Sequence, residues 1–297
     1  MNLFLGVIMS NPYFISLDIG GTKINAGRWQ NGVIESNAVV VFDALASENS
    51  IINFISEIIQ SYLNAESSPV AICIGVPCIV DEAEGTLKDT VNVPAWQNYP
   101  LKEKLEDRFA VPVYINNDVN CYAFGEFLLS ESCSKNFVGV CLGTGVGAGI
   151  VLNGELYSGL NCAAGEVGSI AYLESTFDNY CSGAFFHREF GANGKALAEL
   201  AESGDEVALQ AFEQFGEHIA ALVTQIILMI DPEQIVFGGS VASSFHLFEK
   251  PMLKKLKLFP SQDVIKRLLI SKSENTNSAL IGAIKLFEEK HSKGVLV

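Results

Sequence analysis

The chain has 297 residues, of which 49% are hydrophobic and 18% are charged. This balance is typical of a globular protein of about two average domains, and it excludes a chain that is mainly disordered. Nineteen basic against thirty-four acidic residues give a net charge of −15, which disfavours binding to nucleic acid or to an anionic membrane. The nearest basic cluster, Lys254, Lys255 and Lys257, is better explained as a solvated helix face.

The seven cysteines are scattered and contain no Cys-x-x-Cys pair, a pattern that indicates reduced thiols in a cytoplasmic protein. Residues 1–9 are apolar but lack a basic residue, so we interpret them as extra residues ahead of a start at Met9 rather than as a signal peptide. The longest apolar stretch, from Ile219 to Ile230, is interrupted by Thr224 and Gln225. It predicts a buried helix and not a membrane span.

The first predicted element is a strand over Tyr13–Leu17 that runs into Asp18-Ile-Gly-Gly-Thr-Lys23 and, through a second strand, into the hairpin signal Asn31-Gly32. Apolar residues at helical spacing predict a helix from Glu48 to Glu66. A buried strand, Val70–Ile74, follows. Next come a short helix, a strand and a further helix, predicted over Leu101–Phe109, Val113–Ile115 and Asn120–Leu129.

The same pattern then occurs a second time. A strand over Phe137–Leu142 runs into Gly143-Thr-Gly-Val-Gly-Ala-Gly149 and leads to Asn153-Gly154, which follows Gly143 by ten residues as Asn31 follows Gly20 by eleven. The remaining elements are predicted as helices over Asp205–Ile230 and Ala279–Lys290 and a strand over Gln234–Phe237 that ends in Gly238-Gly239-Ser240. We therefore expect two duplicated α/β domains with a cleft between them, where small ligands usually bind.

The boundaries follow from this repeat. Residues 1–117 form the predicted N-terminal domain, which the C-terminal helix over 279–297 joins, and residues 118–278 form the predicted C-terminal domain.

Two glycine-rich segments are candidate phosphate-binding loops. In the first, Gly20 and Gly21 allow close backbone approach beside the hydroxyl of Thr22, the ammonium of Lys23 and the carboxylate of Asp18. In the second, glycines at every other position suit a hairpin against which a ligand can lie. Neither segment is a Walker loop or a dinucleotide fingerprint. Each alone is better explained as a tight turn, but the shared duplicated plan favours ligand binding.

Other polar residues are candidate site residues, but the sequence patterns that point to them are less specific. Asp118 follows a predicted strand and precedes a helix, where a carboxylate could take a proton from a hydroxyl. Helix capping would explain at least one residue of the Asn116-Asn117-Asp118 run. Asn92, Glu166 and Glu189, in predicted loops, could hold sugar-type hydroxyls or could be ordinary surface residues.

Taken together, these motifs resemble the ROK family of sugar kinases, which have the duplicated ribonuclease-H-like fold of hexokinase and actin. The resemblance runs from Asp18 to Gly282. Seven strings carry it in the family's order: residues 18–23, 75–77 (Gly-Val-Pro), 92–96 (Asn-Val-Pro-Ala-Trp), 116–120, 142–149, 164–168 (Ala-Gly-Glu-Val-Gly) and 237–240.

The resemblance implies transfer of the γ-phosphoryl group of ATP to a hexose, usually at the 6-hydroxyl. It makes Asp118 the base and places Asp18 near Mg²⁺, commonly through water. Other roles are implied for matching residues: Asn92, Asn117, Glu166 and Glu189 would hold the other sugar hydroxyls, Gly20, Gly21, Thr22, Lys23, Gly143, Thr144, Gly145 and Gly147 would hold the phosphates, and Gly238 and Gly239 would lie against the adenosine. Relatives are often dimers, so a homodimer is compatible with the resemblance.

The family pattern fails in one place. Relatives carry a histidine and three cysteines that bind a structural zinc, and here Ser169, Tyr180, Ser182 and His187 occupy those positions. Cys181 and His187 alone do not make a tetrahedral set, so we expect no structural zinc, and Phe185 and Phe186 to pack this segment instead. The resemblance implies that the missing histidine also touches the sugar in relatives, so their sugar specificity does not carry over to this chain.

Three functions are consistent with these residues. A glucokinase-like enzyme is favoured, and an N-acetylglucosamine or N-acetylmannosamine kinase is the alternative. A sugar-binding regulator without catalysis is the third. Regulators of the family carry a DNA-binding segment ahead of the first strand, where this chain has about a dozen residues, and the retained Asp18 and Asp118 favour an enzyme.

Overall fold

The computed structural model describes residues 11–41, 43–88, 90 and 93–293. The predicted start at Met9 and the predicted sugar-binding residue Asn92 lie outside the described residues. The chain divides into two compact units. The first contains the residues up to Gly125, Leu160–Cys162 and the residues from Asn277 onward, and the second contains Glu126–Gly159 and Ala163–Thr276.

The first unit is built on a five-stranded mixed sheet. Its strands and those of a small separate hairpin are β1 (Tyr13–Ile19), β2 (Lys23–Gln30), β3 (Val33–Val41), β4 (Ile72–Val76), β5 (Ile79–Asp81), β6 (Thr86–Lys88) and β7 (Val113–Asn117). The sheet order is β3-β2-β1-β4-β7, with β1, β2 and β3 antiparallel and β1, β4 and β7 parallel. Strand β4 is entirely buried, as expected of a central parallel strand.

The second unit repeats this plan. Its strands are β8 (Phe137–Leu142), β9 (Val146–Leu152), β10 (Glu155–Leu156), β11 (Ala171–Tyr172), β12 (Ser175–Thr176), β13 (Gln234–Gly238) and β14 (Leu269–Lys272). The five-stranded sheet has the order β10-β9-β8-β13-β14, and β11 pairs with β12. Both predicted Asn-Gly turns have positive φ at both residues, which the short hairpin turn requires. The predicted duplicated α/β fold is therefore confirmed.

Helices complete both units. They are α1 (Glu48–Tyr62), α2 (Leu101–Phe109), α3 (Asp118–Leu129), α4 (Phe177–Tyr180), α5 (Gly183–Phe190), α6 (Gly194–Glu202), α7 (Glu206–Ile230), α8 (Phe245–Leu256), α9 (Gln262–Arg267) and α10 (Ser278–Lys293). Among the described residues, no helix combines the length and the apolar character needed to cross a membrane.

Most predicted elements are found, and the shifted boundaries have local causes. Helix α2 and strand β8 have their predicted bounds. Helix α1 ends at Tyr62 and not at Glu66, because Leu63 is extended. Helix α3 begins two residues earlier than predicted because the side chain of Asn117 accepts hydrogen bonds from its first turn.

Two glycines let helices α3 and α10 approach at backbone contact in the first unit. A β-carbon at Gly282 would overlap the carbonyl oxygen of Cys121, and one at Gly125 would overlap the carbonyl oxygen of Ser278. Helix α10 packs in turn on β4 and β1. This contact holds the C-terminal helix against the sheet that carries Asp18.

We predict that Gly282→Ala destabilises the protein although alanine favours helices. The intrinsic gain of about 1 kcal/mol is smaller than the steric penalty of about 3 kcal/mol or more for forcing the two backbones apart. Thermal unfolding should show a melting temperature lower by about 5 °C or more. Ser292→Ala, an exposed change on the same helix, is the control and should change it by less than about 1 °C; an unchanged value for Gly282→Ala would contradict the tight contact.

Candidate active site

Two carboxylates meet around Gly75 where three parallel strands end. Asp18 of β1 lies in register with Gly75 of β4, which lies in register with Asn116 of β7, and Asp118 begins the following helix. A β-carbon built on Gly75 would lie 3.2 Å from the Cα of Asp118 and 3.6 Å from Oδ1 of Asp18. The missing side chain at Gly75 therefore makes room for both acidic residues at one sheet edge.

Burial decides the charge state of Asp18. Its carboxyl group is half-buried, and this burial raises its pKa from 3.8 to about 6, because an ion is poorly solvated there. The adjacent thiol of Cys121 has a pKa raised well above its usual value, first by burial and then by the charges of Asp18 and Asp118. The site thus concentrates negative charge in a place where water screens it weakly.

The two asparagines before Asp118 shape the backbone of this site. Asn117 Oδ1 accepts hydrogen bonds from the N–H groups of Val119 (2.9 Å) and Asn120 (3.0 Å), while its amide donates to the carbonyl oxygen of Cys78 at 3.3 Å. The capping interpretation of the Asn-Asn-Asp run is therefore correct for Asn117. These partners occupy part of the hydrogen-bonding capacity of its amide group. Its contact with a sugar stays a prediction.

Asn116 is a buried supporting residue for which the sequence offered only the capping interpretation. Its Nδ2 donates to the hydroxyl of Tyr114 (2.8 Å) and to Oε1 of Glu82 (3.1 Å), and its Oδ1 accepts from the N–H of Asn117 at 2.7 Å. The same Oδ1 also accepts from Nδ2 of Asn120 at 3.2 Å. Four hydrogen-bonding groups around one amide fix the end of β7 and hence the start of the helix that carries Asp118.

The first glycine segment is a tight turn between β1 and β2. The N–H of Gly20 donates to the carbonyl oxygen of Lys23 at 2.8 Å. Gly21, Thr22 and Lys23 are exposed. Their backbone and the Lys23 ammonium are therefore open to a ligand.

The second glycine segment is held against the loop that follows β13. Gly239 has a φ of 87°, and a β-carbon there would overlap the backbone of Leu142, the residue just before Gly143. Only glycine satisfies both conditions. This contact brings together the two predicted nucleotide-binding segments. One contains Gly143, Thr144, Gly145 and Gly147, and the other contains Gly238 and Gly239.

A cavity of about 600 Å³ opens beside these loops in the second unit. Its walls include Gly143, Thr144 and Ser240 from the loops. Its apolar lining consists of Ala184, Phe186, Ala198 and Phe212, and its polar lining includes Asn193, Lys195, Glu199 and Glu202. The sequence alone does not identify these residues as a ligand pocket. The volume and the mixed lining suit a small ligand with a flat apolar part.

The two remaining predicted sugar-binding carboxylates differ in their surroundings. Glu166 is exposed and follows Gly165, whose φ of 94° and close approach to Ala148 tie this loop to β9. Glu189 lies in helix α5, so its predicted location in a loop is wrong, and it forms a 2.7 Å ion pair with Arg188. Because the Glu189 pair is largely exposed, it constrains the carboxylate only weakly.

Comparison with known proteins identifies the family. The ROK family model matches residues 14–290. The chain belongs to the ROK family. It is 30% identical to the N-acetyl-D-glucosamine kinase of Photobacterium profundum, over 82% of this chain and 88% of that one, and 26% identical to the glucokinase of Halalkalibacterium halodurans, over 84% and 87%. A ROK glucokinase of Streptomyces griseus, solved with glucose and AMPPNP, superposes with a TM-score of 0.81 at 25% identity, covering 92% of this chain and 98% of that one.

The four positions at which the resemblance implies zinc ligands in relatives differ in their surroundings in this chain. Ser182 is buried and caps helix α5, while Ser169 and His187 are exposed. Tyr180 stacks under the Arg188 guanidinium at 4.0 Å. Cys181 lies in the hydrophobic core, as do Phe185 and Phe186, which pack on Phe212 and Phe215. The predicted packing of the two phenylalanines is therefore found, in a helix and not in a loop.

We predict that Asp18→Asn stabilises the protein at neutral pH in magnesium-free buffer. The pKa of Asp18 is about 6 in the folded state against 3.8 in the unfolded state. Above pH 6 its ionisation therefore lowers the free energy of unfolding by on the order of 2–3 kcal/mol. Below about pH 4 this effect disappears, because the carboxyl group is protonated in both states. The melting temperature of Asp18→Asn should exceed that of the wild type by a few degrees at pH 7.5, and the difference should vanish as the pH falls towards 4.

The matched control is Asp263→Asn, which removes an exposed carboxylate paired only with Lys266. It should show no comparable pH-dependent difference. If Asp18→Asn is less stable than the wild type at pH 7.5, the carboxylate has a stabilising partner and the raised pKa is wrong.

Proposed function

We propose that the chain is an ATP-dependent sugar kinase that transfers the γ-phosphoryl group of ATP to a hexose, at the 6-hydroxyl. The supporting observation is the placement of Asp18 and Asp118 on either side of Gly75. The three relatives compared above are named as an N-acetyl-D-glucosamine kinase and two glucokinases. Phosphoryl transfer requires a group that accepts the hydroxyl proton and a group that helps to neutralise phosphate charge.

Asp118 is the proposed base. It stands at the first position of α3, where its Oδ1 accepts the N–H of Val119 at 2.9 Å, and the buried network around Asn116 fixes this turn. A carboxylate held in this way can orient a sugar hydroxyl and take its proton as the phosphoryl group arrives. Asn92, Asn117, Glu166 and Glu189 stay proposed ligands of the other hydroxyls.

The second unit is the proposed nucleotide-binding part. The cavity of about 600 Å³ has apolar walls for a purine and opens on Gly143 and Thr144. The N–H of Gly143 donates to the carbonyl oxygen of Gly145 at 2.9 Å, so of these two residues it is Thr144 whose backbone N–H would face the phosphates. Gly20, Gly21, Thr22, Lys23, Gly145 and Gly147 are the other proposed phosphate ligands. Gly238 and Gly239 would lie against the adenosine, where a side chain would obstruct it.

The residues fit a magnesium ion that is bound jointly with the nucleotide. Mg²⁺ usually takes one or two carboxylates, keeps several waters and uses substrate phosphates for the rest. Asp18 supplies such a carboxylate. A nearby cation would favour its ionised form and so oppose the burial that raises its pKa. Among the described residues no cluster of three or more His, Cys, Asp or Glu side chains could hold a metal, so we propose that Asp18 acts through water. When bound, the ion would neutralise phosphate charge.

Glucose is the proposed default substrate, and N-acetylglucosamine is the second candidate. The specific observation that favours the second is the 30% identity to the Photobacterium profundum N-acetyl-D-glucosamine kinase. Ser169, where relatives have a histidine, is exposed and carries only a small hydroxyl. A panel of glucose, mannose, N-acetylglucosamine and N-acetylmannosamine, each with ATP and Mg²⁺ in a coupled ADP-release assay, distinguishes these substrates.

We predict that Asp118→Asn lowers kcat by roughly 10²- to 10⁴-fold in this assay, with little change in the KM for ATP, because the amide keeps the shape but cannot take a proton. The melting temperature should stay within a few degrees of the wild-type value. Asp263→Asn, a surface change of the same chemistry, should retain wild-type kcat.

Two results would contradict the proposal. If Asp118→Asn is as fast as the wild type, Asp118 is not the base. If no sugar of the panel stimulates ADP release while one of them raises the melting temperature, the chain is a sugar-binding protein without catalysis.

A further inference from the structure

The carboxylate of Asp178 is inserted into the second glycine segment. Its Oδ1 accepts a hydrogen bond from the N–H of Val146 at 2.7 Å. A β-carbon at Gly145 would lie 2.7 Å from this same oxygen, and one at Gly168 would lie 3.1 Å from it. Real β-carbons essentially never approach an oxygen as closely as 2.7 Å, and 3.1 Å is tighter than most real contacts. The two glycines therefore leave the space that this oxygen occupies.

A second contact holds the other end of the segment. The N–H of Gly183 donates to the carbonyl oxygen of Gly143 at 2.8 Å. The buried hydroxyl of Ser182 connects the two contacts, because it donates to the carbonyl oxygen of Asp178 at 2.6 Å and accepts from the N–H of Ala184 at 3.1 Å. Residues 178–183, which form the corner between α4 and α5, thus hold the glycine segment by hydrogen bonds on both sides of Thr144.

Aromatic packing keeps this corner rigid. Phe177, next to Asp178, is buried and stacks on Tyr172 with ring centroids 4.3 Å apart. The Tyr172 hydroxyl lies 3.1 Å from Nδ1 of His218 on α7. Burial raises the pKa of Tyr172 to about 12 and lowers the pKa of His218, so at neutral pH this hydrogen bond joins a neutral phenol and a neutral imidazole.

The charge of Asp178 decides how it can act. A carboxylate that faced a bound phosphate would repel it, but here Oδ1 is directed at the N–H of Val146 and is enclosed by two glycines. A charged acceptor makes a stronger hydrogen bond to a backbone N–H than a neutral one does. Its effect on the segment is therefore to fix the backbone conformation.

We propose that Asp178 is a positioning residue that holds residues 143–146 in the conformation that binds the nucleotide phosphates. This inference rests on the proposed kinase function. It assigns to the α4–α5 corner a part in nucleotide affinity that Asp178 would exert through the backbone of the loop and not by its own contact with phosphate or sugar.

The test compares Asp178→Ala, Asp178→Asn and the control Asp263→Ala. Hydrogen exchange followed by mass spectrometry reports on the backbone, and titration with MgATP together with KM and kcat for the best sugar of the panel reports on function. In Asp178→Ala we expect amide exchange in residues 143–149 to be faster by tenfold or more, with exchange in residues 20–26 unchanged. The Kd for MgATP should rise by about tenfold, and the KM for sugar should stay within twofold. Asp178→Asn should show smaller changes in the same direction, because its amide oxygen can still accept.

Unchanged exchange in residues 143–149 of Asp178→Ala would overturn the proposal whatever the substrate of the enzyme is. Faster exchange with an unchanged Kd for MgATP would also overturn it, because the loop conformation would then not matter for binding. If the wild type does not bind MgATP, the proposed function fails, and the exchange result still decides whether Asp178 holds the loop. Should Asp178→Ala fail to fold, Asp178→Ser carries the test, because its shorter side chain removes the carboxylate acceptor of the Val146 N–H, and wild-type exchange and Kd in that variant would refute the role.

Discussion

The close approach of three backbone segments at Gly75 is the constraint on which the candidate site depends. Because β1, β4 and β7 are parallel neighbours, their carboxyl ends lie at one sheet edge. Because Gly75 has no side chain, Asp18 and the first turn of α3 can both approach the end of β4. Any larger residue there would separate the two carboxylates, and with them the proposed base and the proposed metal-binding group.

This geometry places two negatively charged groups close together, so that their repulsion must be compensated when a ligand binds. A chain of net charge −15 places two carboxylates together, and burial raises the pKa of one of them to about 6. Such a site loses stability when it is ionised, which is a common property of sites arranged for chemistry rather than for folding. A polyanionic nucleotide would add to the repulsion, so backbone amides, Lys23 and a divalent ion would have to supply the compensating positive charge locally.

In the second unit, glycines make room for neighbouring groups that fix the conformation of the glycine-rich loop. Gly239 allows the loop after β13 to touch the backbone of Leu142, and Gly145 and Gly168 leave room for the Asp178 carboxylate. Both contacts shape the same glycine segment, while Phe185, Phe186 and Phe215 pack the helices behind it into one core. A flexible glycine-rich loop is thereby given one conformation by its neighbours.

The sequence by itself determined the repeat and most of the secondary structure. Apolar periodicity and the two Asn-Gly turns are local signals, and the bounds of α2 and β8 follow from them. The motifs also predicted the family and selected Asp18 and Asp118. Only the tertiary structure decided what the polar groups contact. Asn116 turned out to donate to Glu82 across 34 positions of the chain, and Asp178 to accept from Val146 across 32. Hydrogen bonds between residues so far apart leave no periodic trace in the sequence, because their partners are set by how the sheet and helices pack.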